Sequence, residues 1–508
     1  MQLLGEMLDS TVKTFSHRTA IIYENQEISY MDFSFMVDSI AAGLQGLGIK
    51  PGEPVMIFMP NCPEFLACYF ALVKIGAIVV PLNVMYKAHE VSYIASDTGA
   101  DTIITVSGLL DTVIDIRTGC PNLKNIISTG DRLPQGIISL DQMMDVSVMN
   151  YVIKQEADYD DVVCIIYTSG TTGRPKGATQ THRSVLTNVW GLWPVNKFNE
   201  NDRLICALPM YNNFGLNVVA MSAINCGAGL ILIERFDAEK VLTAIDRHKG
   251  SCFFGTPTMY VYLLEKYDAQ KYDVSSLRVV NSGGAHCPEE VAREFEEKFG
   301  AVFLNGYGQT EACGFTTLNP YDGVKKKNSV GVPIAGTWLK IVDDEDRELP
   351  PGQVGEVLEK GKVFSVHGYW RRDDVNKEVF KDGWFRSGDL GYLDEDGYLY
   401  IVDRKQDLII TGGQNIYPVE VEEVLYTNPK VSLAAVIGVP DERKGELAKA
   451  YIVLKEGEKA TEEEIINYVR ERIAKYKAPR MVEFVQELPQ GPTGKILKRL
   501  LREREMRK

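Results

Sequence analysis

The sequence lacks the features of an exported, membrane-spanning or disulfide-bonded protein. No stretch free of charged residues reaches the roughly 18 apolar residues that a membrane-spanning helix needs. The opening segment "MQLLGEMLDSTVKTFSHR" contains acidic residues and no apolar core of signal-peptide length, so we expect no export signal. The nine cysteines are scattered and never form a C-x-x-C pair, which indicates reduced thiols instead of disulfides or a zinc site. We therefore predict a cytoplasmic protein without a transmembrane segment.

Positive charge is also in short supply. The 55 lysines and arginines are outnumbered by 69 acidic residues, so the formal net charge is −14. Such a surface disfavours nucleic acid or an anionic membrane as the main partner, and any anionic ligand must be met by local positive groups. The chain of 508 residues is too long for one ordinary core, which predicts at least two domains.

Helical and strand patterns alternate along most of the chain. The apolar segments "EPVMIFMP", "AIVVPLN" and "ADTIITVSG" are typical of strands, and segments with helical spacing separate them. Strict alternation predicts βαβ units and a parallel sheet. After residue 330, short strands with D-G and P-G turns predict a β-rich subdomain. The fold class that we predict is α/β, with stacked βαβ sheets and this subdomain in residues 1–404 and a small α+β domain in residues 405–508.

The segment "IIYTSGTTGRPKG", residues 165–177, has the clearest ligand-binding pattern. Its glycines let the backbone approach a ligand closely, its threonines and serine add hydroxyl groups, and Lys176 adds a positive charge. Converging amides, hydroxyls and an ammonium group form a phosphate cradle. A flexible linker is the alternative, but a linker needs neither the apolar strand before it nor the lysine. Because Lys176 is followed by Gly177 and not by Ser or Thr, the segment is not a Walker P-loop.

This segment and five further motifs resemble the adenylate-forming (AMP-binding) superfamily, which comprises acyl-CoA synthetases, aryl-CoA ligases, luciferases and the adenylation domains of peptide synthetases. The further motifs occur in the family's order: "SGGA" at 282–285, "NGYGQTE" at 305–311, "WFRSGDLGYLDEDGYLYIVDRKQD" at 384–407, "GGQNIYP" at 412–418 and "PTGKILKRLLR" at 492–502. The resemblance covers essentially the whole chain. It implies an ATP- and Mg²⁺-dependent ligase that converts a carboxylic acid to an acyl adenylate, transfers the acyl group to CoA, and releases AMP and pyrophosphate.

The resemblance also implies roles for particular residues. Thr310 and Lys495 act on the reacting groups, with Thr310 at the α-phosphate and Lys495 between that phosphate and the substrate carboxylate, and Glu311 is the metal ligand. Asp389 accepts from the ribose hydroxyls, and Arg404 closes the same edge. The full nucleotide set is Thr168, Ser169, Gly170, Thr171, Thr172, Gly173, Lys176, Gly283, Gly284, Ala285, Gly306, Tyr307, Asp389 and Arg404.

Each of these assignments has a structural alternative. Glu311 could instead be a solvated loop acid, although the intact motif Y-G-x-T-E favours the metal ligand. Tyr307 could be a core aromatic residue that stacks on no base, Asp389 a turn-capping residue and Arg404 a member of a surface ion pair. Asp394, in "LDEDG", is expected to be a turn residue only.

A catalytic lysine in the second domain implies that this domain moves relative to the first. In the family, the small domain rotates after adenylation, Lys495 leaves, and Gly412 and Gly413 come in to line the CoA tunnel. Residues 1–404 are then the AMP-binding domain, and residues 405–508 are a mobile domain. The resemblance places the hinge at Gln406, where family members usually carry Asp or Lys, so the assignment rests on a departure from the pattern.

A second departure lies in "LPMYNNFGLN", where Asn212 stands at a position at which the family often has a histidine near the substrate carboxylate. Neutral amides donate hydrogen bonds to a carboxylate but do not titrate. Alternatively, these amides cap a helix that begins near Phe214, and both interpretations stay open. The acyl-pocket residues that we predict are Tyr211, Asn212, Asn213 and Thr256, and the expected substrate is a fatty acyl, branched or aryl acid.

Two other functions compete with a CoA ligase. One is an adenylation enzyme that loads a carrier protein, and the other is a nucleotide-binding homologue without catalysis. A luciferase is less expected than a carrier-loading enzyme. The expected partners are a small carboxylic acid, ATP and CoA, with no nucleic acid, and the sequence allows a homodimer.

Overall fold

A computed structural model describes residues 2–120, 122–144, 157–168, 175–441 and 443–506. The helices in these residues are α1 (Leu4–Phe15), α2 (Tyr30–Gly46), α3 (Pro63–Lys74), α4 (Ala88–Thr98), α5 (Leu110–Gly119), α6 (Leu140–Met144), α7 (His182–Asn196), α8 (Ser222–Cys226), α9 (Ala238–His248), α10 (Pro257–Lys266), α11 (Glu289–Phe299), α12 (Asp373–Val379), α13 (Pro418–Tyr426), α14 (Glu462–Arg470) and α15 (Lys498–Met506). Short 3₁₀ helices cover Ser107–Leu109 and Thr310–Ala312, and a π-helix covers Phe214–Met221.

The strands are β1 (Thr19–Tyr23), β2 (Gln26–Ser29), β3 (Pro54–Phe58), β4 (Ile78–Pro81), β5 (Thr102–Thr105), β6 (Asn125–Ser128), β7 (Ile138–Ser139), β8 (Val162–Thr168), β9 (Lys176–Thr181), β10 (Arg203–Cys206), β11 (Gly229–Leu232), β12 (Cys252–Gly255), β13 (Val279–Ser282), β14 (Val302–Gln309), β15 (Gly314–Leu318), β16 (Val332–Pro333), β17 (Thr337–Val342), β18 (Gly355–Gly361), β19 (Phe380–Lys381), β20 (Trp384–Leu393), β21 (Leu399–Arg404), β22 (Ile409–Thr411), β23 (Gln414–Ile416), β24 (Val431–Asp441), β25 (Gly445–Leu454) and β26 (Met481–Phe484).

Local sequence signals account for many element boundaries. Helix α2 begins after Ser29, whose hydroxyl accepts a hydrogen bond from the Asp32 amide at 3.1 Å, as expected of an N-cap. Pro63 occupies the first turn of α3, where its missing N–H costs nothing. Helix α4 ends at Gly99, which has a φ of +83° and so adopts the left-handed conformation that glycine tolerates best.

Two largely parallel sheets form the body of the protein. The first has seven strands in the order β7-β6-β5-β3-β4-β8-β9, and the second has nine in the order β16-β15-β14-β13-β12-β10-β11-β1-β2. In both, the central neighbours pair parallel, and antiparallel pairs such as β8–β9 and β14–β15 lie at the edges. Because the carboxyl ends of parallel strands meet at one edge of a sheet, the loops after the paired strands β12 and β13 lie at the same edge.

Both faces of the seven-stranded sheet are buried. Along β3, Val55 and Ile57 belong to the large core that includes α2 and α3, whereas Met56 and Phe58 belong to a second core with α4 and α5. Nearly every residue of α3 is buried, since it packs between layers and does not lie on a surface. Continuous apolar runs in β3 and β4 follow from this two-sided burial.

Two further sheets follow. Strands β17–β21 form a five-stranded antiparallel sheet. Strands β22–β26 form a second five-stranded sheet, in which β25 and β26 pair parallel and the other pairs are antiparallel, with α13, α14 and α15 packed on it. These correspond to the β-rich subdomain and the α+β unit that the sequence predicts, and the α/β fold class is confirmed. The boundary after residue 404 lies between β21 and β22 and stays a prediction.

All nine cysteines are unpaired and buried, as the scattered spacing predicts. Within the described ranges, no helix is both long and apolar enough to cross a membrane.

Candidate active site

The predicted phosphate loop connects two paired strands. Strand β8 is buried from Val163 to Tyr167, and β9 returns antiparallel to it, with Thr168 opposite Lys176 at the open end. Both residues therefore stand at the mouth of a hairpin, as a phosphate cradle requires. Five predicted residues, Ser169, Gly170, Thr171, Thr172 and Gly173, lie outside the described residues.

Lys176 and Glu311 meet at one aromatic ring. The Lys176 ammonium lies 5.1 Å from the centre of the Tyr369 ring, and the Tyr369 hydroxyl donates to Glu311 Oε1. The segment carrying Tyr369 pairs with β9, since the Trp370 amide donates to the Gly177 carbonyl at 2.8 Å. Burial, and the nearby Glu311 charge, raise the pKa of Tyr369, so it stays a neutral donor. Sequence reasoning missed Tyr369, because "HGYW" carries no chemical pattern.

The glycines of the predicted adenine wall have a packing role that can be seen directly. Gly283, Gly284 and Ala285 follow β13. A Cβ on Gly283 would lie 2.4 Å from the Phe315 ring, and one on Gly306 would lie 3.0 Å from the same ring. Gly284 has a φ of +80°, which disfavours any side chain. Phe315 therefore explains two of these glycines, and their contact with a base stays a prediction.

Asp389, Tyr307 and Arg404 are brought together. The Tyr307 hydroxyl donates to Asp389 Oδ2 at 2.6 Å, and Arg404 Nε lies 3.4 Å from Oδ1. Asp389 is buried, whereas nearly half of the Arg404 side chain is exposed. The turn-capping alternative is wrong for Asp389, because the residue lies within β20, opposite Arg404 on β21. The bend is at Gly388, whose φ is +73°.

Asp394 behaves as the turn residue that the sequence predicts. Its Oδ1 accepts hydrogen bonds from the amides of Asp396 and Tyr398, at 3.0 and 2.9 Å, and Lys326 pairs with Oδ2 at 2.6 Å.

Thr310 lies beside Asn213. The Thr310 hydroxyl is 3.3 Å from Asn213 Oδ1, and Asn213 Nδ2 donates to the Gln309 carbonyl at 3.4 Å. The side chain of Asn213 makes no cap to the π-helix that follows, so the capping interpretation fails for it. Asn217 is fully buried within that helix, where its Nδ2 donates to the Cys313 carbonyl at 3.1 Å. Only Asn213 of this pair therefore faces the predicted catalytic turn.

The other predicted acyl-pocket residues make different contacts. Tyr211 is buried in the main core, and burial raises its pKa. Asn212 is half-buried, and its carbonyl accepts from the Leu216 amide at 3.0 Å. The Thr256 hydroxyl donates to the Thr493 carbonyl at 3.0 Å, so it contacts the C-terminal part of the chain.

Lys495 reaches this group of residues from the C-terminal unit. It ends a tight turn in which the Gly491 amide donates to its carbonyl at 2.8 Å, and Gly494 takes a φ of +76°. Burial and, to a smaller extent, the Arg404 charge lower the pKa of Lys495 to about 8, although the Asp389 charge opposes both effects. The lysine predicted from a distant motif therefore lies within electrostatic range of the predicted ribose residues.

Further hydrogen bonds join the two parts of the chain in this arrangement. They are Ser432 Oγ to Glu265 Oε1 at 2.6 Å, Gln490 Nε2 to the Tyr262 hydroxyl at 3.0 Å, and His286 Nε2 with Glu423 Oε1. His286 directly follows the predicted adenine wall, so this contact adjoins the residues that we predict to bind the base.

The predicted CoA-tunnel residues are not brought to the site. Gly412 and Gly413 form the exposed turn between β22 and β23, with φ values of +56° and +79°. A Cβ at either position would meet no atom of the described chain within 4 Å. Gln406, the predicted hinge, is exposed, and its neighbour Lys405 is bonded through its amide to the Gly388 carbonyl at 3.0 Å.

Glu359 is a buried acid that sequence reasoning missed. It lies on β18 and is fully buried, and burial raises its pKa to about 7. It accepts hydrogen bonds from Gln309 Nε2 and from the Thr316 hydroxyl. The only signal in the sequence is an acid inside the strand pattern "GEVLEKG".

The residues present fit a Mg²⁺ ion bound mainly through a nucleotide. Among the described residues there is no group of three or more His, Cys, Asp or Glu that could hold a metal. Glu311 offers one carboxylate, of which Oε1 accepts from Tyr369 and Oε2 is left for a cation. Mg²⁺ in nucleotide sites is bound by one or two carboxylates together with phosphates and waters.

Comparison with known protein families gives two matches. The model of the AMP-binding enzyme family matches residues 8–370, and the model of the AMP-binding enzyme C-terminal domain matches residues 420–495. Among curated proteins, a long-chain-fatty-acid–CoA ligase of Bacillus subtilis is 35% identical, over 99% of this chain and 94% of its own length. A feruloyl-CoA synthase of an Amycolatopsis species is 36% identical, over 99% of each chain.

Solved structures of CoA ligases are similar to this chain over nearly its whole length. The anthranilate CoA ligase AuaEII in complex with anthranoyl-AMP superimposes with a TM-score of 0.92 at 30% identity, over 99% of this chain and 97% of its own. ATP-bound MatB from Rhodopseudomonas palustris superimposes with a TM-score of 0.89 at 31% identity, over 98% of each chain. The resemblance inferred from the motifs is confirmed.

The Asp389→Ala substitution tests the ribose assignment. Loss of a buried, charged acceptor should weaken ATP binding by about 1.5–3 kcal/mol, or about 10- to 100-fold in Kd, measured by isothermal titration calorimetry. Asp394→Ala is the matched control, because it removes an acid from the neighbouring turn and should leave ATP affinity unchanged. Equal losses in both variants would assign Asp389 a structural role.

The pH dependence of adenylation should report Lys495. Its pKa is depressed from 10.5 to about 8, so the useful ammonium form is present below pH 8 and is lost above it. We expect kcat/KM for ATP–pyrophosphate exchange, which reports the free enzyme, to fall above about pH 8. Lys495→Arg should move this alkaline limb beyond the measured range, because guanidinium does not deprotonate. An identical limb in the arginine variant would mean that another group titrates.

Proposed function

The chain belongs to the family of AMP-binding enzymes, and on this premise we propose that it is an AMP-forming acyl-CoA synthetase. It uses ATP and Mg²⁺ to convert a carboxylic acid to an acyl adenylate, and then transfers the acyl group to CoA. The observation that carries this proposal is the position of Lys495, which lies within electrostatic range of Asp389 and Arg404 on a turn that contacts Thr256.

The first step must bring two anions together. A carboxylate oxygen attacks the α-phosphorus of ATP, the new O–P bond forms, and the bond to pyrophosphate breaks. Lys495 offsets the repulsion between the carboxylate and the α-phosphate, and Thr310 donates its hydroxyl to that phosphate. The loop from Thr168 to Lys176 holds the β- and γ-phosphates.

Glu311 holds the metal in this proposal. Tyr369 donates to one carboxylate oxygen and so orients the other towards the phosphates. Bound Mg²⁺ supplies positive charge to the phosphates. Lys176, next to the same Tyr369 ring, adds a further positive charge on the side of the phosphate loop.

Asp389 binds the ribose hydroxyls, and Tyr307 supports both sugar and base. Because the Tyr307 hydroxyl is bonded to Asp389, its ring is held in one orientation and can lie against an adenine. The opposite wall is Gly283–Ala285, whose small residues can lie against a flat base. Arg404 approaches the same edge from β21.

The second step needs a different surface of the small domain. The CoA thiolate attacks the acyl carbonyl, the C–S bond forms, and the acyl–phosphate C–O bond breaks to release AMP. Lys495 is not needed here, because AMP already is a good leaving group. We propose that the small domain rotates about Gln406 so that Gly412 and Gly413, now exposed, come to line the path of the pantetheine chain.

The acid is a fatty acyl, branched or aryl acid. The relatives named for long-chain fatty acids and for ferulate support both an aliphatic and an aromatic substrate. Asn213, next to Thr310, is placed to donate to a group near the carboxyl. A cytoplasmic location and a homodimeric assembly remain predictions from the sequence.

ATP–pyrophosphate exchange with a panel of acids, followed by thioester detection, tests the function. We expect exchange that depends on one class of acid and on Mg²⁺, and a CoA thioester once CoA is added. Full exchange in excess chelator would overturn the metal assignment. Transfer to a holo carrier protein but not to CoA would favour a carrier-loading enzyme, and no exchange with any acid would favour a nucleotide-binding protein without catalysis.

Two substitutions should separate the half-reactions. Lys495→Ala should slow formation of the acyl adenylate by about 10²–10³-fold, since one charged donor in a water-excluding site has that effect. The same variant should convert supplied acyl adenylate and CoA to thioester at a near wild-type rate. Gly413→Leu should form the acyl adenylate at a near wild-type rate but make the thioester slowly. Rapid-quench measurement of each half-reaction checks both expectations.

Gly457→Leu is the matched control for the glycine substitution. Gly457 has a φ of +81°, close to the +79° of Gly413, and is likewise exposed with no atom within 4 Å of an added Cβ. Backbone strain should therefore be similar in both variants, while only Gly413→Leu slows thioester formation. If Lys495→Ala impaired both half-reactions equally, the domain rotation would lose its main support.

A further inference from the structure

Glu359 holds both arms of the hairpin that carries the predicted catalytic turn. Gln309, at the end of β14, donates through Nε2 to Glu359 Oε2, and Thr316, on β15, donates its hydroxyl to Oε1 at 2.5 Å. Between these two residues lies the 3₁₀ turn of Thr310 and Glu311. A single carboxyl group on β18 therefore links two adjacent strands on either side of that turn.

The environment of Glu359 does not suit an acid whose role is packing alone. Its neighbours on β18, Val357 and Leu358, are buried and apolar, and its register partner on β20 is Phe385. Among the described residues, no Lys, Arg or His forms an ion pair with it, and the charges that act on it are those of Asp389 and Glu311, which raise its pKa. An apolar side chain would avoid this desolvation cost.

The hydrogen-bond network can be satisfied in either protonation state. The Thr316 hydroxyl also lies 3.3 Å from the Tyr307 carbonyl. When Glu359 is ionised, Thr316 donates to it. When Glu359 is protonated, it donates to Thr316, which then turns its single proton to the Tyr307 carbonyl. Gln309 donates to Oε2 in both cases, so the link to the catalytic turn persists.

We propose that Glu359 is a positioning residue for the adenylation step, acting through Gln309 to hold Thr310 and Glu311 in the geometry that the phosphates and the metal require. This inference rests on the proposed function. Tyr369 holds Glu311 from the other side, through a hydrogen bond to Oε1. The turn is thereby fixed from two separate strands, β18 and the segment that pairs with β9.

Glu359→Val should lower kcat for pyrophosphate exchange by about 10²-fold, because a small displacement of a catalytic group has an effect of that size. KM for ATP should change less than about threefold, since the contacts that we assign to base, ribose and terminal phosphates are elsewhere. Conversion of supplied acyl adenylate and CoA should be unchanged. Glu359→Gln keeps the shape and both hydrogen-bond partners, and it should restore kcat to within about fivefold of wild type.

A double-mutant cycle tests the route through Gln309. If Glu359 acts through that residue, Gln309→Leu, Glu359→Val and the double variant should lose similar activity, because the second change removes nothing more. Val357→Ala is the stability control, since it truncates a buried neighbour on β18 that does not contact the turn. It should lower Tm while leaving both half-reactions intact.

The outcomes are distinguishable. Equal loss in both half-reactions of Glu359→Val, or a fully additive cycle, would overturn the positioning role. A wild-type protein that exchanges pyrophosphate while Glu359→Val retains activity within twofold would overturn only this inference. Absence of exchange by the wild-type protein with every acid would overturn the proposed function and this inference with it.

Discussion

The structure depends on concentrating a few positive charges where two anions must meet. The chain has a net charge of −14, and its site already contains Asp389, Glu311 and Glu359. The opposing cations, Lys176, Arg404 and Lys495, come from a hairpin, from the end of β21 and from a turn in the C-terminal unit. One of the three, Lys495, belongs to a separate unit. The positive charge of the site therefore changes whenever the two units move relative to each other.

Much of this could be predicted from the sequence, because the relevant signals are local. Glycine-rich turns, apolar runs and the spacing of strand and helix predict the parallel sheets and the later β-rich sheet. The motifs at residues 305–311 and 492–495 predict that Thr310 and Lys495 belong to one site, although they are nearly 200 residues apart in the chain. Such predictions are possible where the chemistry requires a particular residue type within a short segment.

Tyr369 and Glu359 could not be predicted, because their significance comes from residues far away in the chain. Tyr369 matters through Glu311 and Lys176, and Glu359 through Gln309 and Thr316. Nothing within "HGYW" or "GEVLEKG" encodes those contacts. The same holds for Gly283, which motif reasoning assigns to a base although the nearest visible reason for it is the Phe315 ring. Tertiary packing can impose the same residue type as a ligand does.

The contacts that hold the C-terminal unit in this arrangement are both apolar and polar, and Leu433 and Leu488 belong to the same buried cluster as the N-terminal core. The polar contacts include the hydrogen bonds from Thr256, Ser432 and Gln490 and the pair of His286 with Glu423. Each such bond contributes about 0.5–1.5 kcal/mol net, more where a charge takes part, so these contacts together amount to a few kcal/mol. A ligand shifts an equilibrium only by its differential affinity for the two states, and a bound triphosphate next to Lys495 favours the docked state through its charge. Once pyrophosphate has left, much of that attraction is gone. Loss of that attraction favours undocking of the C-terminal unit, which is the movement that we propose before thioester formation.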